Sequence, residues 1–299
     1  MKIFTKLLAG AVSLIVLGMG MTGCKTDTEE PHVHTYSSEW SSNETSHWHS
    51  ATCGHDVKSG EEKHTFTETD VDKKTYTCTV CNYQRSVAVG DIIYTDGTIS
   101  SKDAELTSGK TAVAVVAGFN TNGAILGLGL KQSSSSLQWA PNGTEGYKTN
   151  FTEIIAYSDK KGYGAGRTAT ITGDTDGSDN WKYVKSIDPA ETADAQEKKY
   201  PAFNFAATYA TTVGITGEIA EGWYMPSIAE LCELYKNKDI LNASLSKCRG
   251  TQFRNGDYWS SSQGDSSYFF YAWSLDFSDG FLGNNYKSNS VYVCCVRAF

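Results

Sequence analysis

All six histidines of the chain lie between His32 and His64, and three of its eight cysteines, Cys53, Cys78 and Cys81, fall in or just after that window. The window reads HVHTYSSEW, HWHSATCGH, KHTF and YTCTVCNY. It holds few aliphatic residues, so a module built from residues 33–86 buries too little apolar surface to stand by itself. Zinc supplies a tie: it takes four tetrahedral thiolate or imidazole ligands, and the C-x-x-C of Cys78 and Cys81 offers two sulfurs to one ion. The expected ligand set of a zinc-ribbon-like module with structural zinc is Cys53, His55, Cys78 and Cys81. His49 and His64 are the alternates, and His34 comes after them. A disulfide, Cys78–Cys81 or Cys53–Cys78, is the competing tie in an exported protein. A catalytic zinc needs an open position and a nearby base, and no H-E-x-x-H arrangement is present.

The first residues point to export. Lys2 and Lys6 precede an apolar run over residues 7–21, too short and too Gly-interrupted for a good membrane span, and Met21-Thr22-Gly23-Cys24 follows. This resembles a bacterial lipoprotein signal, with Met21 where Leu is more usual. The resemblance implies that residues 1–23 are removed and that Cys24 is lipidated. Residues 24–32 then form a polar tether, and the protein sits on the cell envelope, at the outer-membrane surface. The formal charge of -8 and the lack of a basic cluster beyond the N-terminus argue against a nucleic-acid partner.

From residue 87 onward histidine disappears and strand-like runs begin, at 91–94, 111–117 and 124–130, with Asp96-Gly97 and Asn122-Gly123 as turn signals. Residues 132–186 carry a Ser run, Pro-Asn-Gly, Gly-Tyr-Gly-Ala-Gly and Gly-Asp-Thr-Asp-Gly, and read as loops. The Gly-Tyr-Gly-Ala-Gly run lacks the strand, lysine and helix start of a phosphate cradle. A helix is expected over 200–212, with Phe203, Ala206, Ala207 and Ala210 on one face. Ser227-Ile228-Ala229-Glu230 is a capping box that opens a second, whose stripe is Ile228, Leu231, Leu234 and Tyr235. A further helical piece over 241–248 closes at Gly250. The expectation is an α+β, loop-rich domain of two helices with short antiparallel sheets over 87–299.

The stretch from Asn255 to Phe299 mixes two kinds of piece. Trp259 to Gln263, Ala272, Trp273 and residues 291–299 read as framework. The remainder is crowded with Tyr, Phe, Ser, Asn, Gly and Asp, residues that combine rigid contact area with adaptable hydrogen bonding in antibody paratopes. Tyr268, Phe269, Phe270 and Tyr271 are consecutive, so a period of two cannot bury them all on one face. Trp273, Leu275 and Phe277 alternate with Ser274, Asp276 and Ser278, which places the first three in a core and the others on an exposed face. Asp279-Gly280 turns the chain into the returning strand. Cys294 and Cys295, adjacent on a strand, point to opposite faces and read as packed thiols.

GWYMPSIAELCELY, LNASLSKCRGTQF, YWSSSQ, AWSLDFSDG and the closing YVCCVRAF occur in order over the last third of the chain. Together they resemble the C-type-lectin-fold domains of the formylglycine-generating-enzyme subclass. More closely, they are similar to the variable lipoproteins diversified by diversity-generating retroelements. The resemblance covers residues 87–299 and implies a C-type lectin-like fold whose C-terminal region, about 255–299, carries the diversified residues. In that family adenine mutation turns AAY codons into NNY codons, which cannot encode Lys, Gln, Glu, Met or Trp. Between Gly264 and Tyr286 the one such residue is Trp273, a framework position. The ligand-binding positions implied are Asn255, Asp257, Tyr258, Asp265, Tyr268, Phe269, Phe270, Tyr271, Ser274, Asp276, Ser278, Phe281, Gly283, Asn284 and Tyr286. The function implied is a lipid-anchored receptor or adhesin that binds a protein or glycan, without catalysis and without a cofactor in this domain. The alternatives are a formylglycine-generating-enzyme-like oxidoreductase, for which Cys232, Cys248, Cys294 and Cys295 match no motif, and a carbohydrate-binding adhesin. Fold analogy by itself is a weak warrant for the first.

Overall fold

The computed structural model describes residues 32–192, 196–264 and 269–299. The expected signal, Cys24 and the tether up to residue 31, together with Asp265 and Tyr268, lie outside the described residues.

Strand β1 (Ser46–Ser50) pairs with β2 (Lys58–Lys63), and β3 (Thr75–Thr77) pairs with β4 (Gln84–Ser86), both antiparallel. Among the described residues up to 86, the buried hydrophobic ones are Tyr76 and Cys78, and Tyr76 packs into the cluster of the following domain. The first part of the chain therefore has almost no apolar core of its own. It is tied to the rest by the strand Thr69–Asp70, which pairs with residues 98–99, and by an Arg85–Asp91 ion pair at 3.3 Å.

In chain order the following domain comprises β5 (Ile92–Tyr94), β6 (Thr98–Ser100), β7 (Ala112–Phe119), β8 (Ile125–Gly129), α1 (Asn180–Ile187), α2 (Pro201–Ala207) and α3 (Tyr209–Val213). Then come β9 (Trp223–Tyr224), α4 (Ile228–Lys236), α5 (Lys238–Lys247), β10 (Asp257–Gln263), β11 (Tyr271–Asp276), β12 (Leu282–Tyr286) and β13 (Val296–Ala298). The main antiparallel sheet runs β9-β13-β8-β7-β5-β6, with Thr69–Asp70 at the edge. Its central strand β7 is covered on both faces. Ala114 and Val116 join one cluster with Trp139, Phe203 and Trp223, while Val115 and Ala117 join another with Leu231, Leu241 and Leu245. Such two-sided burial explains why β7 reads as a continuous apolar run without alternation. The molecule is thus α+β, with small antiparallel sheets.

The capping box forms as read. Ser227 Oγ accepts from the Glu230 amide at 3.2 Å, and a Glu230 carboxylate oxygen accepts from the Ser227 amide at 2.8 Å. Two expectations need correction. The helix expected over 200–212 breaks at Thr208 into α2 and α3, and the break lets Tyr209 turn inward, where its hydroxyl accepts from the Lys131 amide at 3.0 Å. The segment 132–186 is less loop-like than its glycines suggest. It includes the start of α1, whose Asn180 is locked inside by bonds to Asp174 and Ser261 at 2.7 and 2.8 Å.

A second antiparallel sheet, β10-β11-β12, positions the C-terminal stretch. Tyr271 opposes Tyr286, Trp273 opposes Asn284 and Leu275 opposes Leu282 across β11 and β12. Each buried indole of this region finds a carbonyl: Trp273 donates to Ala156, Trp259 to Leu137 and Trp139 to Ser260, at 2.9, 2.8 and 3.1 Å. A buried indole that keeps its hydrogen bond adds apolar contact without leaving a donor orphaned.

Candidate functional site

One face of β11 and β12 passes from core to solvent within three residue pairs. Leu275 and Leu282 are fully buried, Trp273 is buried opposite the half-buried Asn284, and Tyr271 and Tyr286 stand at the open end with ring centroids 4.4 Å apart. Tyr286 is 46% exposed. At that same end Phe269 and Phe270 pack together at 3.9 Å, and Phe270 meets Tyr147 at 5.6 Å. At the β11–β12 turn the exposed Phe281 sits edge-on to Tyr163 at 5.1 Å, and Tyr163 itself is 81% exposed. Apart from Tyr147, which also packs against one buried cluster, these rings rest mainly on one another. The arrangement presents two patches of rigid apolar surface that a partner could cover, one at the open end and one at the turn, and the turn side also carries the exposed Ser278 and half-buried Asp276.

Several expected contact residues do not belong to this surface. Tyr258 is fully buried between Phe253 and Phe277, with its hydroxyl bonded to Gln132. Ser274 is buried because β11 is the central strand and its second face, which also carries Ala272, is covered; Ser274 Oγ accepts from Asn285 Nδ2 at 2.8 Å. Gly283 is buried beneath the Phe281 ring. The alternation of Trp273, Leu275 and Phe277 into a core holds, whereas its outward partners are Asp276 and Ser278 without Ser274. Asp257 is half-buried opposite Asp276, and burial, aided by the Asp276 carboxylate, holds its acid above the usual carboxylate range.

Sequence reasoning missed the neighbours supplied by the loop-rich segment, Tyr147 and Tyr163, because nothing local in Gly-Tyr-Gly-Ala-Gly says where that loop lands. It also missed Lys287. This side chain is fully buried, donates to the carbonyls of Gly146 and Thr149 and to Gln263 Oε1 at 3.1, 3.0 and 2.7 Å, and lies over the Trp139 and Phe151 rings. Burial pushes its pKa well down. Lys287 fixes the end of β12, so the framework resumes immediately after Tyr286, ahead of the expected residue 291. The thiols of Cys294 and Cys295 are fully buried on opposite sides, in different clusters, and burial pushes both pKa values up.

The histidines and cysteines of the first part gather into two groups. His47, His64, Cys78 and Cys81 form one, and His32, His34, Cys53 and His55 the other; within each, the candidate ligand atoms lie within 4.8 Å of one another. The expected single set of Cys53, His55, Cys78 and Cys81 is therefore corrected, because its two halves belong to different groups. His64, an alternate, is in the inner group and His34 in the outer. His49 is in neither: its ring stacks on Trp40 at 3.9 Å and its Nδ1 donates to the Glu39 carbonyl at 3.2 Å. The pairing of β1 with β2 slips between His47 and His49, and His47, which spacing did not single out, turns inward.

The inner group has the chemistry of a closed metal site. Both ring nitrogens of His47 are buried without a hydrogen-bond partner among the described residues. Two bare nitrogens are costly in a buried position unless something binds there. His64 Nε2 donates to the Asn43 carbonyl at 2.8 Å, which leaves Nδ1 as the lone-pair nitrogen, and that atom lies 3.4 Å from Cys81 Sγ. A carbonyl behind the ring is the usual orienting partner of a metal-bound histidine. The Cys78–Cys81 turn closes through Asn82, which has φ 58° and donates its amide to the Cys78 carbonyl. Burial raises the Cys78 thiol, but amides of Cys81 and Val80 and the His64 side chain outweigh it and bring the thiol down to about 6. Cys53 in the outer group is also held down at about 6, first by His34 and then by His32.

Among the described residues, no helix is long and apolar enough to cross a membrane. No curated protein matches the chain. A fimbrial protein from Bacteroides ovatus ATCC 8483, known from its crystal structure, superposes with a TM-score of 0.49 at 16% identity over 72% of this chain, which spans 49% of that protein. The family model of the Lcl C-terminal domain matches residues 130–297, a region that holds the second core cluster's helices and the whole β10-β11-β12 sheet. That match spans more than half of the sequence, and the chain belongs to the Lcl C-terminal domain family.

Proposed function

We propose that the chain is a lipid-anchored, adhesin-like protein of the bacterial cell surface, with a C-type lectin-like domain of the formylglycine-generating-enzyme subclass. In this reading it binds a macromolecular ligand, protein or glycan, through the rings of Phe269, Phe270, Tyr271, Phe281 and Tyr286, with Tyr147 and Tyr163 beside them. The observation that carries the reading is that these rings pair with one another in two patches, Phe269, Phe270, Tyr271 and Tyr286 with Tyr147 at the open end of the β11–β12 face and Phe281 with Tyr163 at its turn. A surface of this kind concentrates binding energy in a few aromatic anchors, while neighbouring Asn, Asp and Ser set specificity. No catalysis is assigned, since burial holds Cys294 and Cys295 as neutral packed thiols. The inner group His47, His64, Cys78 and Cys81 binds a structural zinc ion that holds the first part of the chain together.

The test is a screen of the purified protein on immobilised cell-surface proteins and on a glycan array, repeated with Phe270→Ala, Phe281→Ala and Tyr286→Ala combined. The expected result is a ligand that the wild type binds and the triple variant does not, at an unchanged melting temperature. Retention of binding by the triple variant would remove the aromatic strip from the account. A DNA copy of residues 255–299 that differs at adenines, beside a reverse-transcriptase gene, is the expected signature of diversification. Membrane partitioning that survives Cys24→Ala would reject the lipid anchor.

A further inference from the structure

We infer that the first part of the chain holds a second metal ion, bound by His32, His34, Cys53 and His55, which clips the incoming chain to the β1–β2 connection. This goes beyond the structural zinc proposed for the inner group, shares no ligand with it, and stands or falls separately.

The placement begins with the backbone. Residues 35–37 run antiparallel to 50–52: the Thr52 amide donates to the Thr35 carbonyl at 2.8 Å and the Ser37 amide to the Ser50 carbonyl at 2.9 Å. This brings His34, just before the paired stretch, beside Cys53, just after it. Gly54 has φ +83°, a left-handed turn that favours glycine, and it bends the chain so that Cys53 and His55 face the same point. His32 and His34 flank Val33, and their rings meet edge to face with centroids 4.6 Å apart, so both point to one side.

The side chains then converge. His34 Nδ1 lies 3.2 Å from Cys53 Sγ, Cys53 Sγ lies 3.5 Å from His55 Nδ1, and His55 Nδ1 lies 3.1 Å from His32 Nε2. Zinc bonds of about 2.0 to 2.3 Å at tetrahedral angles put neighbouring ligand atoms roughly 3.3 to 3.8 Å apart, close to these separations. Pairwise hydrogen bonds would explain any one of these contacts but not the gathering of all four donor atoms within 4.8 Å. Three of the four residues are exposed, where side-chain hydrogen bonds compete with water and gain little, so hydrogen bonding gives weak reason for the gathering. Three imidazoles and one thiolate form a borderline donor set that suits Zn²⁺ and leaves no position open for catalysis. Exposure sets this site apart from the inner one: its ion exchanges with solvent chelators while the inner ion stays shielded. With the ion bound, the segment arriving from the N-terminus is fixed to the body at His32 and His34; without it, the short antiparallel pairing and the Thr35–Thr52 side-chain bonds remain to hold that segment.

The experiment measures zinc per chain by elemental analysis on untagged full-length protein after zinc loading and gel filtration. Wild type is expected to carry two equivalents, His34→Ala/Cys53→Ala one, and Cys78→Ser/Cys81→Ser one. Colorimetric chelation of the wild type is expected to release one equivalent rapidly and the other upon denaturation. Two equivalents in His34→Ala/Cys53→Ala would overturn the outer site. So would a wild type with a single equivalent that Cys78→Ser/Cys81→Ser removes. A single equivalent removed by His34→Ala/Cys53→Ala would instead support the outer site and reject the inner one. Limited proteolysis gives a readout that does not count metal: zinc is expected to protect residues 32–36 in wild type and not in His34→Ala/Cys53→Ala, and equal cleavage with and without zinc would contradict the clip.

Discussion

The two parts of the chain gather different kinds of side chain in their interiors. Residues 87–299 build two buried clusters on either side of a main sheet, rich in Trp, Tyr, Phe, Leu and Val, to which the first part adds Tyr76 and the edge strand Thr69–Asp70. The described residues up to 86 bury Tyr76 and Cys78 and otherwise gather histidines and cysteines. The lesson is that burial and coordination fail under different insults, so conditions exist that separate them. On the proposed zinc binding, a chelator should act on the first part and leave the second, and a cavity in the sheet should do the reverse.

The largest expected effect is loss of the inner group. Apparent binding free energies of structural zinc are about 10 to 16 kcal/mol near neutral pH, so Cys78→Ser/Cys81→Ser should unfold the segment built on that group, while the outer group, which shares no ligand with it, keeps its own ion. Protease mapping should find cuts within residues 64–86 while 87–299 stays intact. Next comes Trp273→Ala, which empties a fully buried site and orphans the Ala156 carbonyl. It should cost the second part about 3 to 5 kcal/mol in denaturant unfolding. A cost below about 1 kcal/mol would mean that this face of β11 is not core.

Acid should move the two parts in opposite directions. Burial pushes Asp174 up to about 6 and Glu230 up to about 7. Carboxyls raised in the fold take up protons there before the unfolded chain does. Their stabilising contribution is thus full below the ordinary carboxyl range and lost as pH rises through about 6 to 7. The transition of the second part should climb as pH falls from 7 toward 5, and Asp174→Asn should flatten that slope. The first part should weaken over the same range, because protons compete with metal for imidazole and thiolate. Parallel shifts of both transitions would undo the contrast. The smallest effect on stability belongs to Phe281→Ala and Tyr286→Ala, within about 0.5 kcal/mol each for exposed positions. Their whole consequence should fall on binding.

Much of this was legible in the sequence. Period-two alternation located Trp273, Leu275 and Phe277 in the core, the capping box located α4, and the adjacency of Cys294 and Cys295 set them on opposite faces. The confinement of the histidines announced the gathering of His and Cys side chains into groups able to hold a metal ion. What stayed hidden depends on which segment covers which face. Ser274 and Tyr258 looked free because alternation cannot say that a second layer covers β11 and β10. Lys287 looked like loop because its acceptors, Gly146, Thr149 and Gln263, are remote in sequence. The grouping of His47 with Cys78, and of His32 with Cys53, rests on strand pairings and a slip between β1 and β2 that spacing alone does not encode.

Differential scanning calorimetry of the full chain, with and without a strong zinc chelator, tests the central contrast most directly. The account predicts two transitions in zinc, of which the chelator, by capturing the released ions, lowers that of the first part and leaves that of the second unmoved. A chelator that changes neither transition, or that lowers both together, would contradict it.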